Sequence, residues 1–241
     1  HVKDFFEYKT IINKVRENSQ KGVEVSQCEG YIESNLNGYL DEEDGSFNKG
    51  CANALSHISD IRYGPKSNTL PGFCEYTNYW FYGKLKSTYK IKYYKILLDF
   101  FKGLGNFEDC IEYTESIDDP KYNYLNKLDE LYDNFYNFEK QSSTEDQNRC
   151  VKGEICAQEY KKHGSTCKGN GNNRFCNELQ NFRNLFNNHL KLIKKCDKIE
   201  DLPSFQGSPL AATISIPVSV MSVISFFSFI TYKVGKFFVQ K

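Results

Sequence analysis

The sequence is short of several things at once. It has no net charge, 31 basic residues standing against 31 acidic ones, and no polybasic block outside its last nine residues. That balance argues against nucleic acid as a partner. It has only four histidines (His1, His57, His163, His189), without ligand spacing, and no C-x-x-C. A zinc site is therefore not expected, and the missing D-x-D-x-D-G pattern removes an EF-hand calcium loop. No stretch alternates apolar and polar residues at strand period, and no unit of 20 to 50 residues recurs. Sheets and solenoids are thereby disfavoured. The glycine pairs Gly103/Gly105 and Gly169/Gly171 follow no strand and precede no lysine-hydroxyl pair, so they read as loops rather than phosphate cradles. There is no N-x-S/T acceptor site, and the charged N-terminal pattern VKDFFEYKTIINKVREN is not a signal peptide.

The longest absence is of charge itself, from Leu210 to Tyr232, 23 residues. As a helix this run would extend about 35 Å, enough to cross a hydrocarbon core of about 30 Å. Pro217 sits in its outer third, where a membrane helix tolerates a kink. Lys233, Lys236 and Lys241 follow, whereas the preceding stalk, Asp197 to Pro209, carries Glu200, Asp201 and only Lys198. The positive-inside rule then makes 233–241 a cytoplasmic tail and puts everything before Leu210 on the outer side. The lipid bilayer is the first expected partner. The expected organisation is an ectodomain over 1–196, a stalk over 197–209, a transmembrane helix over 210–232 and the tail.

Against these shortages stand nine cysteines: Cys28, Cys51, Cys74, Cys110, Cys150, Cys156, Cys167, Cys176 and Cys196. All precede the apolar run, which in an oxidising compartment reads as a disulfide framework. Nine is odd, so one is left over as a free thiol, as an intermolecular bridge, or with a partner in a segment preceding His1. Tyrosine (17) and phenylalanine (19) are also heavily used, and with lysine and asparagine they suggest an AT-rich genome.

Helical stripes account for much of that aromatic content. Between Pro120 and Lys140, Tyr124, Leu128, Leu131, Phe135 and Phe138 step by four and three along one face, with Asp119 as the expected N-cap. After Asn173, Phe175, Leu179, Phe182, Phe186, Leu190 and Ile193 do the same. The partner of that helix is expected over Asn148 to His163, carrying Val151, Ile155 and Tyr160. The loop GSTCKGNGNN between them either brings Cys156 near Cys176 or lets Cys167 tie the loop to one helix; spacing does not choose. Val2 to Glu17, Cys28 to Leu40, Phe47 to Arg62 and Gly72 to Phe101 also favour helices, broken by EEDG, YGPKSNTLPG and KGLGN. The fold class is all-α, a disulfide-bonded helical ectodomain ahead of one transmembrane helix and a short basic tail.

No enzyme is expected and no cofactor. The acidic groups Asp41 to Asp44 and Asp118 with Asp119 sit where helices end, as caps do, and no cysteine has a local motif pairing it with a histidine. The aromatic cluster CEYTNYWFYGKL, Cys74 to Leu85, is read first as a core, anchored by Trp80, although tryptophan and tyrosine also serve as binding hot spots.

That same stretch resembles the C-x-Y-L-N-Y-W-L-Y-D-K-L signature of the Plasmodium interspersed repeat variant antigens, in particular the Vir proteins of vivax-type malaria parasites. LDELY (Leu128 to Tyr132), CAQEYKKHGSTC and FCNELQNFRNLF resemble the family's later blocks in the same order, and the likeness runs from about Cys28 to the end. Thr77 and Phe81 stand where leucines are usual, and Gly83 where aspartate is. The resemblance implies a helical, disulfide-bonded variable ectodomain on one anchor, exported to the infected red-cell membrane. Its implied role is adhesion and antigenic variation, with a host-cell surface receptor and host antibodies as partners. Only the cysteines and Trp80 carry over, as structural elements. The expected function is thus a single-pass variant surface antigen or adhesin, with GSTCKGNGNN and YGPKSNTLPG as the segments free to vary. The alternative is a tail-anchored scaffold or trafficking protein whose folded part stays in the cytosol with reduced cysteines.

Overall fold

A computed structural model describes residues 2–14, 22–41, 45–63, 69–142, 149–168, 173–193, 196 and 198–205. Among them all regular secondary structure is helical, the only β contact being an isolated antiparallel bridge between Leu40 and Leu85. The helices are α1 (Phe5–Ile12), α2 (Val23–Tyr31), α3 (Ser46–Tyr63), α4 (Leu70–Lys84), α5 (Tyr93–Gly103), α6 (Asp119–Ser142), α7 (Arg149–Lys162), α8 (Gly164–Cys167) and α9 (Arg174–Ile193). The expected run from Gly72 to Phe101 is interrupted at Leu85, and a 3-10 segment, Ser87–Lys92, leads into α5. A second 3-10 segment, Gly105–Tyr113, and an extended linker lead to α6. No described helix is long and apolar enough to cross a membrane; the expected span, Leu210 to Tyr232, and the flanking Lys233 and Lys236 lie outside the described residues.

Two apolar cores organise these helices. The first gathers side chains from Phe5 to Ile117, the second those from Leu128 to Leu202. Helix α6 serves both: Tyr122 and Leu125 in its first turns pack on the first core, and Leu128, Leu131, Tyr132, Phe135 and Phe138 build the second. Each lobe forms because its helices have apolar surface that nothing else covers.

In the N-terminal lobe, α4 is the axis. Trp80 is 8% exposed and stacks on Phe47 at 4.7 Å between ring centroids, while Phe81 meets Phe100 at 4.9 Å. The approach of α3 to Trp80 requires Gly50, because a Cβ there would lie 2.6 Å from the indole Cζ2. Buried polar groups are absorbed locally. Thr77 donates to the Phe73 carbonyl one turn back, and Asn53 Nδ2 donates to the Ile12 and Lys14 carbonyls at the C-terminal end of α1. The linker after Tyr113 has no helical partners, so side chains serve it instead. Tyr94 donates to the Thr114 carbonyl, Asn78 to the Glu115 carbonyl, and the Ile117 N–H donates to the Tyr93 hydroxyl.

In the C-terminal lobe α6 packs against both α7 and α9, and Tyr160 of α7 meets Phe182 of α9 at 6.0 Å. The α9 stripe is placed as its spacing predicts, with Phe175, Leu179, Phe182 and Phe186 buried. The expected face of α7 is corrected. Val151 and Ile155 are exposed, and the buried side is Gly153, Cys156, Ala157 and Tyr160. Small residues let α7 lie close on α6; a Cβ at Gly153 would come within 2.9 Å of the Phe138 ring. The cap of α6 is also shifted by one residue: Asp118 Oδ1 accepts the Lys121 N–H, leaving the Asp119 carboxylate to accept from the Tyr82 hydroxyl. The first half of GSTCKGNGNN, expected as loop, makes the single helical turn α8.

The start of the expected stalk belongs to this lobe as far as Phe205. Leu202 is 1% exposed, its N–H donates to Asn187 Oδ1, and its carbonyl accepts from Arg183 and Asn187. Phe205 stacks on Tyr160 at 4.5 Å, and Tyr160 donates to the Pro203 carbonyl.

Candidate functional site

The cysteines are the residues on which the expected function rests, and the fold brings eight of the nine together. Cys28 bonds Cys51, joining α2 to α3, and Cys74 bonds Cys110, joining α4 to the second 3-10 segment. Cys150 bonds Cys196, holding the return chain to the head of α7, and Cys167 bonds Cys176 across the loop that precedes α9. Of the two arrangements open for that loop, Cys167 is the one that closes it. Cys156 departs from the expected framework: it is a free thiol, buried beneath α6 with its Sγ 3.8 Å from the Leu131 carbonyl. Burial pushes its thiol well up from the ordinary value, and the carboxylate of Glu159 adds to the shift, so it is held protonated and unreactive.

Trp80 lies in the core, as expected. Around it Tyr76, Tyr79, Phe81 and Tyr82 are buried as well, so the cluster from Cys74 to Leu85 forms interior, not an exposed hot spot.

Where the lobes meet, the structure places two features. One is a charged latch. Lys9 of α1 lies 2.8 Å from Asp129 and 2.5 Å from Asp133 of α6, and Tyr79 of α4 donates to Asp129 at 3.3 Å. Asp129 is buried, and that desolvation raises its pKa despite the pull of Lys9. Burial opposes the charge on Lys9, but hydrogen bonds to both aspartates outweigh it and the lysine pKa is raised. The ammonium is therefore fixed, and Asp129 is the member that carries the cost of burial.

The other is a cleft of about 750 Å³ between the start of α1, α4, the linker and the first turns of α6 and α9. Phe5, Leu128 and Phe175 form its apolar surface, with Tyr124 and Leu125 beside them. Its charges largely answer each other: Lys121 and Arg174 both reach Glu115 Oε2, at 3.1 and 3.4 Å. The hydrogen bond from Lys121 holds the Glu115 carboxyl below its ordinary value, whereas partial burial raises that of Glu75 on the opposite wall. Such a cleft suits an apolar body better than a strongly charged one. Sequence spacing does not reveal it, because its walls come from five segments, and apolar residues such as Phe5, Leu128 and Phe175 each read as ordinary core stripe.

Among the described residues no three histidine, cysteine or acidic side chains converge on a point where a metal would sit. No family model matches the chain, and neither the curated proteins nor the solved structures compared with it contain a match.

Proposed function

We propose that this chain is a membrane-anchored surface antigen or adhesin, a disulfide-braced helical domain that presents variable loops on the outer face of a cell. The observation that carries the reading is the pairing of eight cysteines into four disulfides within one helical fold. Bridges of that density belong to oxidising surroundings, whereas a cytosolic scaffold would keep its thiols reduced. The long uncharged run from Leu210 with lysines behind it supplies the anchor in this reading, and the folded part reaches to within a few residues of it, at Phe205. A frame of this kind tolerates change in its loops, since core substitutions cost several kcal/mol and loop substitutions little. Of the variable segments proposed, 64–68 within YGPKSNTLPG and 169–172 within GSTCKGNGNN lie outside the described residues; the flanks of the second are tied by Cys167–Cys176. The ordered resemblance of CEYTNYWFYGKL and FCNELQNFRNLF to the Plasmodium interspersed repeat antigens points the same way and names the infected red cell as the place. Protease treatment of intact infected cells, followed by an antibody to residues 119–193, tests it. Digestion without permeabilisation is the expected result; full protection until the membrane is opened would replace this reading with the tail-anchored scaffold.

A further inference from the structure

The twelve residues from Lys84 to Lys95, KLKSTYKIKYYK, hold five lysines in a chain whose net charge is zero, and no acidic residue occurs between Glu75 and Asp99. No two of these lysines are adjacent, so they do not register as a basic block when the chain is read linearly. Lys84 ends α4, Lys86 caps the 3-10 segment Ser87–Lys92 that holds Lys90 and Lys92, and Lys95 is in the first turn of α5.

This turn is held firmly from behind. The Lys86 N–H donates to the Tyr39 carbonyl at 2.9 Å and the Asp41 N–H to the Lys84 carbonyl at 2.9 Å, which pins its start to the segment after α2. Tyr89 packs on Tyr39 with ring centroids 4.5 Å apart, and Tyr93 anchors its end in the core. Two lysines are used internally: Lys84 donates to Ser46, and Lys90 lies over the rings of Tyr82 and Tyr122, at 4.7 and 5.1 Å. Lys86, Lys92 and Lys95 are exposed and make no ion pair among the described residues. Between them stand the exposed Ser87, Thr88 and Ile91, the last 90% exposed. The nearest acidic residues along the bridge and the helix are Asp41 and Asp99, and neither pairs with the three.

Three ammonium groups on a braced turn, with two hydroxyls between them, form a preorganised surface for a polyanion. The disulfides select its source. On the oxidising side of a membrane the polyanion a protein meets is carbohydrate, bearing sulfate or carboxylate, rather than nucleic acid or the anionic lipid of an inner leaflet. The turn also belongs to the N-terminal lobe, whereas the chain leaves toward the proposed anchor from the C-terminal lobe, at Phe205. We propose that the turn from Lys86 to Lys95 binds a sulfated glycan, giving the adhesin reading a ligand class; the inference rests on that reading for the choice of glycan over lipid.

The test uses the full chain in neutral-lipid nanodiscs, or in free solution if it does not enter them, with a heparin oligosaccharide as the probe. We expect binding at physiological ionic strength that weakens as salt rises. Each single change of Lys86, Lys92 or Lys95 to serine should weaken it about two- to fivefold, and the triple variant about thirtyfold or more. A control triple on the other lobe, Lys152→Ser, Lys161→Ser and Lys191→Ser, should leave it unchanged, as should Ile91→Ser. All these side chains are exposed, so the thermal midpoint should not move. No heparin binding by the unaltered chain, or equal losses in the two triples, overturns the proposal. So does a contact with phosphatidylserine discs, seen as slowed hydrogen exchange over 86–95 that Ile91→Ser abolishes, in the absence of heparin binding. Entry into nanodiscs and accessibility on cells are read separately, so loss of the glycan site and loss of the surface-antigen reading give different results.

Discussion

In the N-terminal lobe α4 is buried on every side, from Gly72 to Tyr82 with only Glu75 left outside, whereas in the C-terminal lobe α6 and α9 each bury one stripe and keep the other face in water. The bridges differ in the same sense. Cys28, Cys51, Cys74 and Cys110 are fully buried, so the N-terminal bridges run through the core and join separate helices. The C-terminal bridges sit at the ends of elements, where they close the loop before α9 and hold the return chain. One lobe is organised around a helix with no outside and the other around paired faces. Changes to a bridge should therefore be felt unequally.

Replacing Cys74 and Cys110 together by alanine is the largest test of that contrast. The bridge closes a separation of 36 residues, worth about 4 kcal/mol of unfolded-state entropy, and its loss opens space in the core besides. The matching change at Cys167 and Cys176, a separation of nine, should cost about 2.5 kcal/mol. Urea unfolding midpoints of the two variants measure the difference; equal losses would mean that the bridges do not divide as the lobes do.

Lys9→Met comes next, because it breaks the latch between the lobes and not the interior of either. It strands Asp129 and Asp133, whose Oδ1 atoms already lack partners, and should cost about 2 to 4 kcal/mol given the partial exposure of Lys9 and Asp133. Adding Asp129→Asn and Asp133→Asn should restore much of the loss. A single mutant no less stable than the parent would show that the lobes are held by apolar contact alone.

The smallest effect is acid sensitivity confined to one lobe. His163, against Phe175, and His189, against Phe135 and Phe138, both have pKa values lowered by burial, and both lie in the C-terminal lobe. The unfolded chain then takes up protons before the folded one does, so stability present above about pH 6.5 is lost as pH falls below it. Hydrogen exchange at pH 7.5 and 5.5 should show protection dropping in α6, α7 and α9 more than in α3 and α4. A uniform drop would dissolve the distinction.

The difference between the lobes also explains what the sequence made legible. Helices α6 and α9 were readable to within two residues because a half-buried helix writes its period into its side chains: Leu128, Leu131, Phe135 and Phe138 can face only one way. Helix α4 carries no such signal, since aromatics on every face have no period, and the break at Leu85 is made by pairing with Leu40, a contact 45 residues distant in the chain. On α7 the exposed Val151 and Ile155 outweighed small buried residues whose value lies in close approach, which hydropathy does not register. The basic turn does not stand out for a related reason: no two of its lysines are adjacent, and Tyr89, Ile91, Tyr93 and Tyr94 between them make the stretch read as an ordinary mixed segment.

The state of the sulfurs tests the whole account most directly. Protein taken straight from cells into denaturant with excess maleimide, then mapped by peptide, should carry a label on Cys156 and on none of the eight cysteines paired here. Labels on all nine cysteines would contradict it, and would move the folded part to a reducing compartment.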